Sequence, residues 1–401
     1  MKIRLSFLIL NLVFITGLFF PGFSIGIYFC TFAPLLVLLK QNHGVIKSSK
    51  LLIFVGIFAI NVFFQILIGY PPNIKLLLNF TGNFLMMYSI ISLLSSEIIF
   101  TEYLKQFLKL QFLVGSIVVG VALVLYGPDF YFVNKNQVYS SLNIYPPALW
   151  ITKQVTAPFL IFSSIMACHI IKPNHFFRNS IIIFFMINGL ILAFGSRSAI
   201  LAVIVTVAIF GGKKYLSKLP ITITIISLFG VALVVLNSAL EDYLDIIRLV
   251  DVRGIIYSEI LSEVVTNPFG VGYGNTVEYL TSNNSELYSN TYSSFRDLKE
   301  SNENFANMGF DQFPVNVESS LFILLLEQGA VVTVLFYTFF VKNIAKMCSS
   351  KDRLFVLFTI ASSVVLFTSL TEDNFLLIPY MFYVSLFLRL VFFQKNKVLY
   401  H

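Results

Sequence analysis

The chain alternates between long apolar stretches and short polar connections over most of its length. A run of about 20 apolar residues is long enough for a helix to cross the hydrocarbon core of a bilayer. The pattern therefore predicts an all-α protein with about twelve transmembrane helices. We place them at roughly 3–20, 23–40, 51–69, 74–96, 104–127, 155–171, 179–195, 198–212, 219–237, 317–341, 354–370 and 374–394.

The composition supports a polytopic integral membrane protein. Hydrophobic residues make up 57% of the chain and charged residues only 12%, and the mean hydropathy is +0.84. A water-soluble domain of this size has too little interior to bury so much apolar surface, so lipid must cover the excess. We expect one transmembrane domain that spans residues 1–401.

Basic residues in the polar connections predict the topology. With the N-terminus in the cytoplasm, most of the 27 lysines and arginines fall in cytoplasmic connections or in the C-terminal tail, which includes Arg389. This is the distribution that the positive-inside rule describes. The net charge of +7 is therefore interpreted as a topology signal, with both termini cytoplasmic, and nucleic acid is not an expected partner.

Two outer connections are long enough to carry function. The first covers residues 128–154 and contains Trp150, a residue type that anchors at membrane interfaces. The second is a large outer, periplasmic loop over residues 238–316. It begins with an amphipathic segment that ends near Asp251 and is predicted to lie along the membrane surface. From Thr281 onward the loop is rich in Ser and Asn, which is typical of a mobile cap.

The first stretch with candidate chemistry is the turn around Arg197, in the sequence Gly195-Ser196-Arg197-Ser198. The planar guanidinium fork matches the oxygens of a diphosphate, and this turn is predicted at the outer membrane boundary. The alternative is an arginine that reaches toward lipid headgroups without any role in chemistry.

The second stretch is the glycine-rich segment from Asn267 to Asn275. Glycines at alternate positions allow a compact turn in which backbone amides approach a ligand closely. Its spacing does not fit a dinucleotide-binding motif, and a simple chain reversal is the alternative. Arg248 and Arg253 precede it on the predicted surface helix, where they either bind an anionic ligand or remain solvated.

The third stretch begins at Glu318 and opens a predicted helix. A carboxylate at the outer end of a span is able to act as a general base toward a sugar hydroxyl. Capping of the helix by Glu318 and Ser319 is the structural alternative. Glu327 lies further along this helix, near the expected middle of the membrane, where a carboxyl group must be protonated or paired.

These three stretches, in this order and on these elements, resemble the family of O-antigen ligases and oligosaccharide repeat-unit polymerases. The Ser196-Arg197 turn is similar to the family's Ser-Arg turn, and residues 267–275 are similar to its glycine-rich turn. Residues 318–329 resemble the helix that follows its large loop. The resemblance implies a GT-C-like membrane glycosyltransferase that acts on polyprenyl (undecaprenyl) diphosphate-linked oligosaccharides at the outer face of a bacterial inner membrane.

Within this family the resemblance favours a polymerase over a ligase. Ligases carry a histidine where this chain has Glu318. All four histidines of the chain fall on the predicted cytoplasmic side, so no imidazole is available outside. The paired arginine and glycine signature of the polymerase loops is not found at Arg248, Arg253 or Arg296, which leaves the choice among loop arginines open.

We therefore expect glycosyl transfer between two lipid-linked glycans without a metal or cofactor. Arg197 and Glu318 are the expected catalytic residues, with Glu318 as base. The expected substrate-binding residues are Arg253, Arg248, Gly270, Gly272, Tyr273 and Asn275. Tyr279, Tyr288 and Tyr292 are further candidates for stacking on sugar rings, and a membrane-bound chain-length regulator is an expected partner. The rivals are a secondary transporter or flippase of lipid-linked glycan, and a glycosyltransferase that uses polyprenyl-monophosphate sugars.

Overall fold

The computed structural model describes about half of the chain. It covers residues 2–19, 24–41, 49–126, 243–276, 278–280, 282, 319–348 and 378–393, together with 355, 358, 359 and 362. The predicted spans between 155 and 237, most of the span at 354–370, and the outer loop at 128–154 lie outside these residues. So do the predicted site residues Arg197 and Glu318.

Every regular element within the described residues is a helix, so the predicted all-α class is confirmed for them. Eight helices can be followed from end to end. They are α1 (Lys2–Phe19), α2 (Ser24–Gln41), α3 (Ser49–Leu67), α4 (Ile74–Leu93), α5 (Glu97–Tyr126), α6 (Tyr243–Thr266), α7 (Ser320–Cys348) and α8 (Ile378–Phe393).

The first four helices and α8 begin and end close to the predicted bounds, whereas α5 and α6 are longer than predicted. We expected a polar connection at 97–103, but α5 already begins at Glu97. This segment is an amphipathic turn of helix, in which Phe100 and Tyr103 are buried while Glu102 is exposed. The predicted surface segment near Asp251 likewise continues as helix to Thr266.

The connection from α3 to α4 follows from its glycine and prolines. Gly69 has a φ of 91°, the left-handed conformation that ends many helices. The Tyr70 amide still donates to the Gln65 carbonyl at 2.9 Å, which satisfies one carbonyl of the last turn. Pro71 and Pro72 have no amide hydrogen and cannot continue the helix.

Length and apolar composition identify few membrane-crossing helices in the described ranges. One helix, Ser320–Met347, is long and apolar enough, and a second is added if the bent pair Phe80–Leu93 and Glu97–Ile117 forms one span. Core helices of soluble proteins pass the same test. Twelve spans therefore stay a prediction. Shorter apolar segments of 10–17 residues lie at Leu5–Leu18, Tyr28–Lys40, Val55–Leu67 and Tyr380–Phe392.

The chain divides into two compact units. The first comprises residues 1–48, 81–235 and 340–401, and the second comprises residues 49–80 and 236–339. In the first unit α1 packs against α2, α5 and α8. Its core is aromatic, and Phe14 of α1 contacts Phe107 of α5 and Phe382 of α8 at ring-centroid distances of 5.0 and 5.5 Å.

A buried arginine closes the sharp bend between α4 and α5 in the first unit. The two helices meet at 113° around Leu94 and Ser95. Arg389 of α8 is 1% exposed and donates from Nε to the Leu94 carbonyl at 2.5 Å and from Nη2 to the Ser95 carbonyl at 2.9 Å. Its guanidinium also lies 4.3 Å from the centroid of the Phe100 ring. Arg389, which we counted as a topology signal, is thus the cap of the α4 C-terminus.

Candidate functional site

The glycine-rich turn follows α6 directly in the second unit. The Asn267 amide still donates to the Glu263 carbonyl at 2.7 Å, and the Gly270 amide then donates to the Asn267 carbonyl at 3.0 Å. Gly270, Gly272 and Gly274 have φ values of 83°, 94° and 82°. Three left-handed residues at alternate positions form the compact turn that the sequence predicts, and only glycine adopts this conformation without strain.

Helix α7 is broken at Gly329, although the sequence predicted a continuous span at 317–341. Gly329 has a φ of 74° and a ψ of 175°, which no α-helical residue has. A break of this kind leaves the carbonyls of the preceding turn without their intrahelical partners. In this protein those carbonyls belong to Leu326, Glu327 and Gln328, and each accepts a hydrogen bond from another segment.

The glycine-rich turn fills the break. The Val271 amide donates to the Leu326 carbonyl at 2.8 Å. A Cβ at Gly270 would lie 2.6 Å from the carbonyl atoms of Glu327, and a Cβ at Gly329 would collide with the carbonyl of Pro268. The two backbones therefore approach more closely than any residue with a side chain would permit.

Two amide side chains of α3 complete the hydrogen bonding of the break. Gln65 Nε2 donates to the Phe269 carbonyl at 2.8 Å and to the Glu327 carbonyl at 2.5 Å. Asn61 lies one turn earlier, and its Nδ2 donates to the Gln328 carbonyl at 3.1 Å. Both side chains are buried, so this polar face of α3 is directed at the break.

Glu327 is a buried carboxyl group with a hydrogen-bond partner in the glycine-rich segment. It is 6% exposed, and its Oε1 accepts from the Thr276 hydroxyl at 2.8 Å. The sequence predicted that a carboxyl group at this position must be paired or protonated. The hydrogen bond to Thr276 is consistent with that requirement and connects the segment after the turn to α7.

The short α3–α4 connection also binds the turn. The Asn73 amide donates to the Tyr273 carbonyl at 2.7 Å, and Asn275 Nδ2 donates to the Pro71 carbonyl at 2.9 Å. A Cβ at Gly272 would lie 2.8 Å from the carbonyl oxygen of Tyr70. The glycine-rich turn is thus held on one side by α7 and on the other by residues 70–73.

The predicted substrate-binding residues of the turn have different surroundings. Tyr273 is only 2% exposed, and its ring packs against Phe58 and Phe80 at centroid distances of 5.8 and 5.3 Å. In this conformation the ring is a packing group and not a platform for a sugar. Asn275 is half-buried and holds the turn together, since its Nδ2 also donates to the Val271 carbonyl at 2.9 Å.

Tyr279, unlike Tyr273, is partly exposed, and it lies beside carboxylate side chains. The Tyr279 hydroxyl donates to Glu263 Oε2 at 2.6 Å. Partial burial raises the pKa of this hydroxyl well above its ordinary value, and the hydrogen bond to Glu263 and the negative charges of Glu263 and Glu259 raise it further. Tyr279 therefore remains a donor at any physiological pH.

Apolar contacts join α6 to α7 behind these polar groups. Tyr257 of α6 stacks on Phe322 of α7 with parallel rings 3.9 Å apart. The buried members of the same cluster are Ile256, Ile260, Val264, Val271, Leu280 and Leu326. Such a core positions α6, the turn and α7 as one packed substructure.

The structure places two of the predicted arginines on α6 and a predicted capping residue at the start of α7. Arg248 and Arg253 lie on α6, and their side chains are not among the described groups. Ser319 is buried and immediately precedes α7, where its hydroxyl accepts from the Phe322 amide at 3.5 Å. This is the N-cap geometry that the structural alternative for this stretch predicted.

Sequence reasoning missed the two amides of α3 as site residues. Neither Asn61 nor Gln65 is among the site residues that the sequence predicts. The signal was present, because an amide pair spaced by four residues marks one polar stripe on an otherwise apolar helix.

Comparison with protein-family models, with curated proteins and with solved structures found no match to this chain.

Proposed function

We propose that this chain is a membrane glycosyltransferase that polymerises oligosaccharide repeat units carried on polyprenyl diphosphate. It acts at the outer face of a bacterial inner membrane and makes O-antigen or a related surface polysaccharide. The growing glycan is transferred from its lipid carrier to a hydroxyl of a newly delivered lipid-linked unit. The proposal needs no metal and no cofactor.

One observation carries this proposal. The glycine-rich turn and the start of α7, which are far apart in sequence, pack together through the Val271 to Leu326 hydrogen bond and the close approach of Gly270 to Gly329. These are two of the three stretches on which the family resemblance rests. Their contact supports the idea that they serve one site.

The surfaces of the helices support membrane embedding. Large apolar side chains are exposed at helical spacing on α1, α2 and α3, as lipid-facing stripes would be. A soluble monomer rarely exposes such contiguous apolar surface. The exposed residues are Leu5, Leu8 and Leu12 on α1, Tyr28, Phe32, Leu36 and Leu39 on α2, and Ile57, Ile60, Phe64 and Leu67 on α3.

The proposed chemistry is a displacement at the anomeric carbon of the sugar attached to the carrier. The acceptor hydroxyl forms the new C–O bond as the bond to the diphosphate breaks, and the carrier leaves with its negative charge. Arg197, assisted by Arg253 and Arg248, stabilises that charge, because fixed cations act where charge develops. Glu318 takes the proton of the acceptor hydroxyl.

The test is a deletion of the encoding sequence in its native host, followed by analysis of surface glycans. A polymerase deletion removes long chains and leaves glycans with a single repeat unit. Complete loss of glycan from the lipid core would instead identify a ligase, which is the alternative within the same family. Complementation with the intact chain restores long polymers if the proposal is correct.

A second candidate, a secondary transporter of a lipid-linked glycan, is favoured by one specific observation. Discontinuous helices with polar groups at the break are typical of transporter binding sites. The break at Gly329 lies beside the buried Glu327 and the amides of Asn61 and Gln65. In proteoliposomes, substrate flux that is lost in Glu327→Gln would support the transporter, whereas polymer synthesis without flux would support the polymerase.

A further inference from the structure

Two buried amide side chains at the helix break each have one polar atom that lacks a hydrogen-bond partner in the described part of the protein. They are Oε1 of Gln65 and Nε2 of Gln328. Gln65 is 0% exposed and Gln328 is 1% exposed. Burial of such atoms without a partner costs free energy, so their presence at one place requires an explanation.

The orientation of the Gln65 amide is determined by its neighbours. Its Nε2 donates to two backbone carbonyls, those of Phe269 and Glu327. A half-turn of the amide would direct Oε1 at these two carbonyls, and acceptors would then face acceptors. Oε1 is therefore the atom that remains available, and it lacks a donor.

The orientation of the Gln328 amide is determined in the same way. Asn61 Nδ2 donates to the Gln328 carbonyl at 3.1 Å and to Gln328 Oε1 at 3.3 Å. A half-turn of the Gln328 amide would place two NH₂ groups face to face. Nε2 is therefore the atom that remains available, and it lacks an acceptor.

The chemistry of the missing partner follows from this pair. Gln65 Oε1 needs a donor and Gln328 Nε2 needs an acceptor, and a hydroxyl group is both. A metal cation cannot accept from an amide, and a simple inorganic anion cannot donate to one. We propose that the helix break at Gly329 binds a neutral hydroxyl-bearing molecule through Gln65 Oε1 and Gln328 Nε2.

Two sources supply this chemistry, namely an ordered water molecule and a hydroxyl of the glycan substrate. The glycan source rests on the proposed function, whereas the water source does not. Asn267, at the start of the same turn, has a further buried amide nitrogen without a partner among the described residues.

The test is a structure of the full chain in lipid nanodiscs, at a resolution that shows ordered water, with and without the host's lipid-linked repeat unit. We expect density within hydrogen-bond distance of both amide atoms in the absence of the repeat unit. Replacement of that density by a sugar ring when the unit is added identifies the glycan source. Unchanged density with the unit bound elsewhere identifies water.

Two results overturn the site. One is the absence of density while both amides bond to protein groups instead. The other is a density that rubidium replaces, which would indicate a cation. Polymer synthesis by a protein with no molecule at these amides would overturn this site and leave the proposed function intact. Water bound at these amides in a protein that makes no polymer would support the site and overturn the proposed function.

A variant pair gives an independent readout for the glycan source. Gln328→Met keeps the length of the side chain but removes the free donor, together with the Oε1 that accepts from Asn61. We expect a KM for the acceptor unit about tenfold higher with kcat unchanged. Gln106 is exposed on α5 and provides the matched control, Gln106→Met. Equal KM values for both variants would exclude the glycan as the source.

Discussion

The backbone of Gly329 occupies part of the space that a side chain on Gly270 would need. A Cβ on Gly270 would lie 2.7 Å from the amide nitrogen of Gly329, and a Cβ on Gly329 would meet the carbonyl of Pro268 in the turn that contains Gly270. Both residues also have a positive φ. Two glycines that are distant in sequence are therefore required at one contact, for both conformational and steric reasons.

The first prediction is that Gly270→Ala and Gly329→Ala each destabilise the second unit by at least about 2 kcal/mol, through a strained φ and a backbone clash. The measurement is the thermal unfolding of purified protein in detergent. Gly254→Ala is the matched control, because Gly254 lies in α6 with open space around it. There alanine should be neutral or stabilising by about 0.5–1 kcal/mol. Equal effects at all three sites would contradict the contact.

Helix positions and the glycine-rich turn were predictable because both depend on local patterns. Apolar runs located α1 to α4, and alternate glycines indicated a turn with left-handed residues at Gly270, Gly272 and Gly274. Neither inference needed knowledge of which segments meet in space. The length of each apolar run was sufficient to locate a helix, and the conformational freedom of glycine was sufficient to indicate the turn.

The break at Gly329 was not predictable from local pattern. A lone glycine in an apolar run is compatible with a continuous helix. Its conformation is stabilised by the turn and by Gln65, which lie dozens or hundreds of residues away in sequence. The burial of Tyr273 and the capping role of Arg389 escaped prediction for the same reason, since each depends on which segment packs nearby.

The second prediction concerns the hydrogen bond between Thr276 and Glu327. Thr276→Val keeps the shape of the side chain but leaves the buried carboxyl group without this donor, which should cost about 1–3 kcal/mol of stability. Glu327→Gln retains an oxygen acceptor for Thr276 and should cost less. Thermal unfolding of both variants checks this order.

Thr266→Val is the matched control, since Thr266 is exposed at the end of α6 and its hydroxyl bonds only within that helix. It should change stability by less than about 0.5 kcal/mol. If Thr266→Val lost as much stability as Thr276→Val, the hydrogen bond to Glu327 would not explain the effect at Thr276.

The third prediction separates two roles of Arg389. If this residue acted only as a positive-inside charge, Arg389→Lys would be neutral. As a cap it bonds two carbonyls and contacts Phe100 at once, which a lysine ammonium group cannot reproduce. We therefore expect Arg389→Lys to lose about 2 kcal/mol of stability in a thermal unfolding assay. Lys346→Arg, the reverse exchange at an exposed site on α7, should have no effect.

The fourth prediction addresses the chemistry directly. Arg197→Ala should reduce polymer synthesis at least about a hundredfold, because a cation that stabilises developing charge typically contributes that much. Arg197→Lys should retain part of the activity, since it keeps the charge and loses the fork. Gel analysis of surface polysaccharide, with immunoblotting for the membrane-bound protein, measures both effects. Lys214→Ala, in a predicted cytoplasmic connection, is the control and should leave chain length unchanged.

Membrane topology provides a second test of the role of Arg197, and this test does not depend on activity. The Arg197 turn must face outward for its guanidinium to meet the diphosphate of a flipped lipid carrier. A cysteine introduced by Ser196→Cys should therefore react with a membrane-impermeant thiol reagent added to intact spheroplasts. Labelling only after the membrane is broken would place Arg197 on the cytoplasmic side. The charge on the leaving diphosphate would then have to be stabilised by the α6 arginines alone, and normal chain lengths in Arg197→Ala would agree with that outcome.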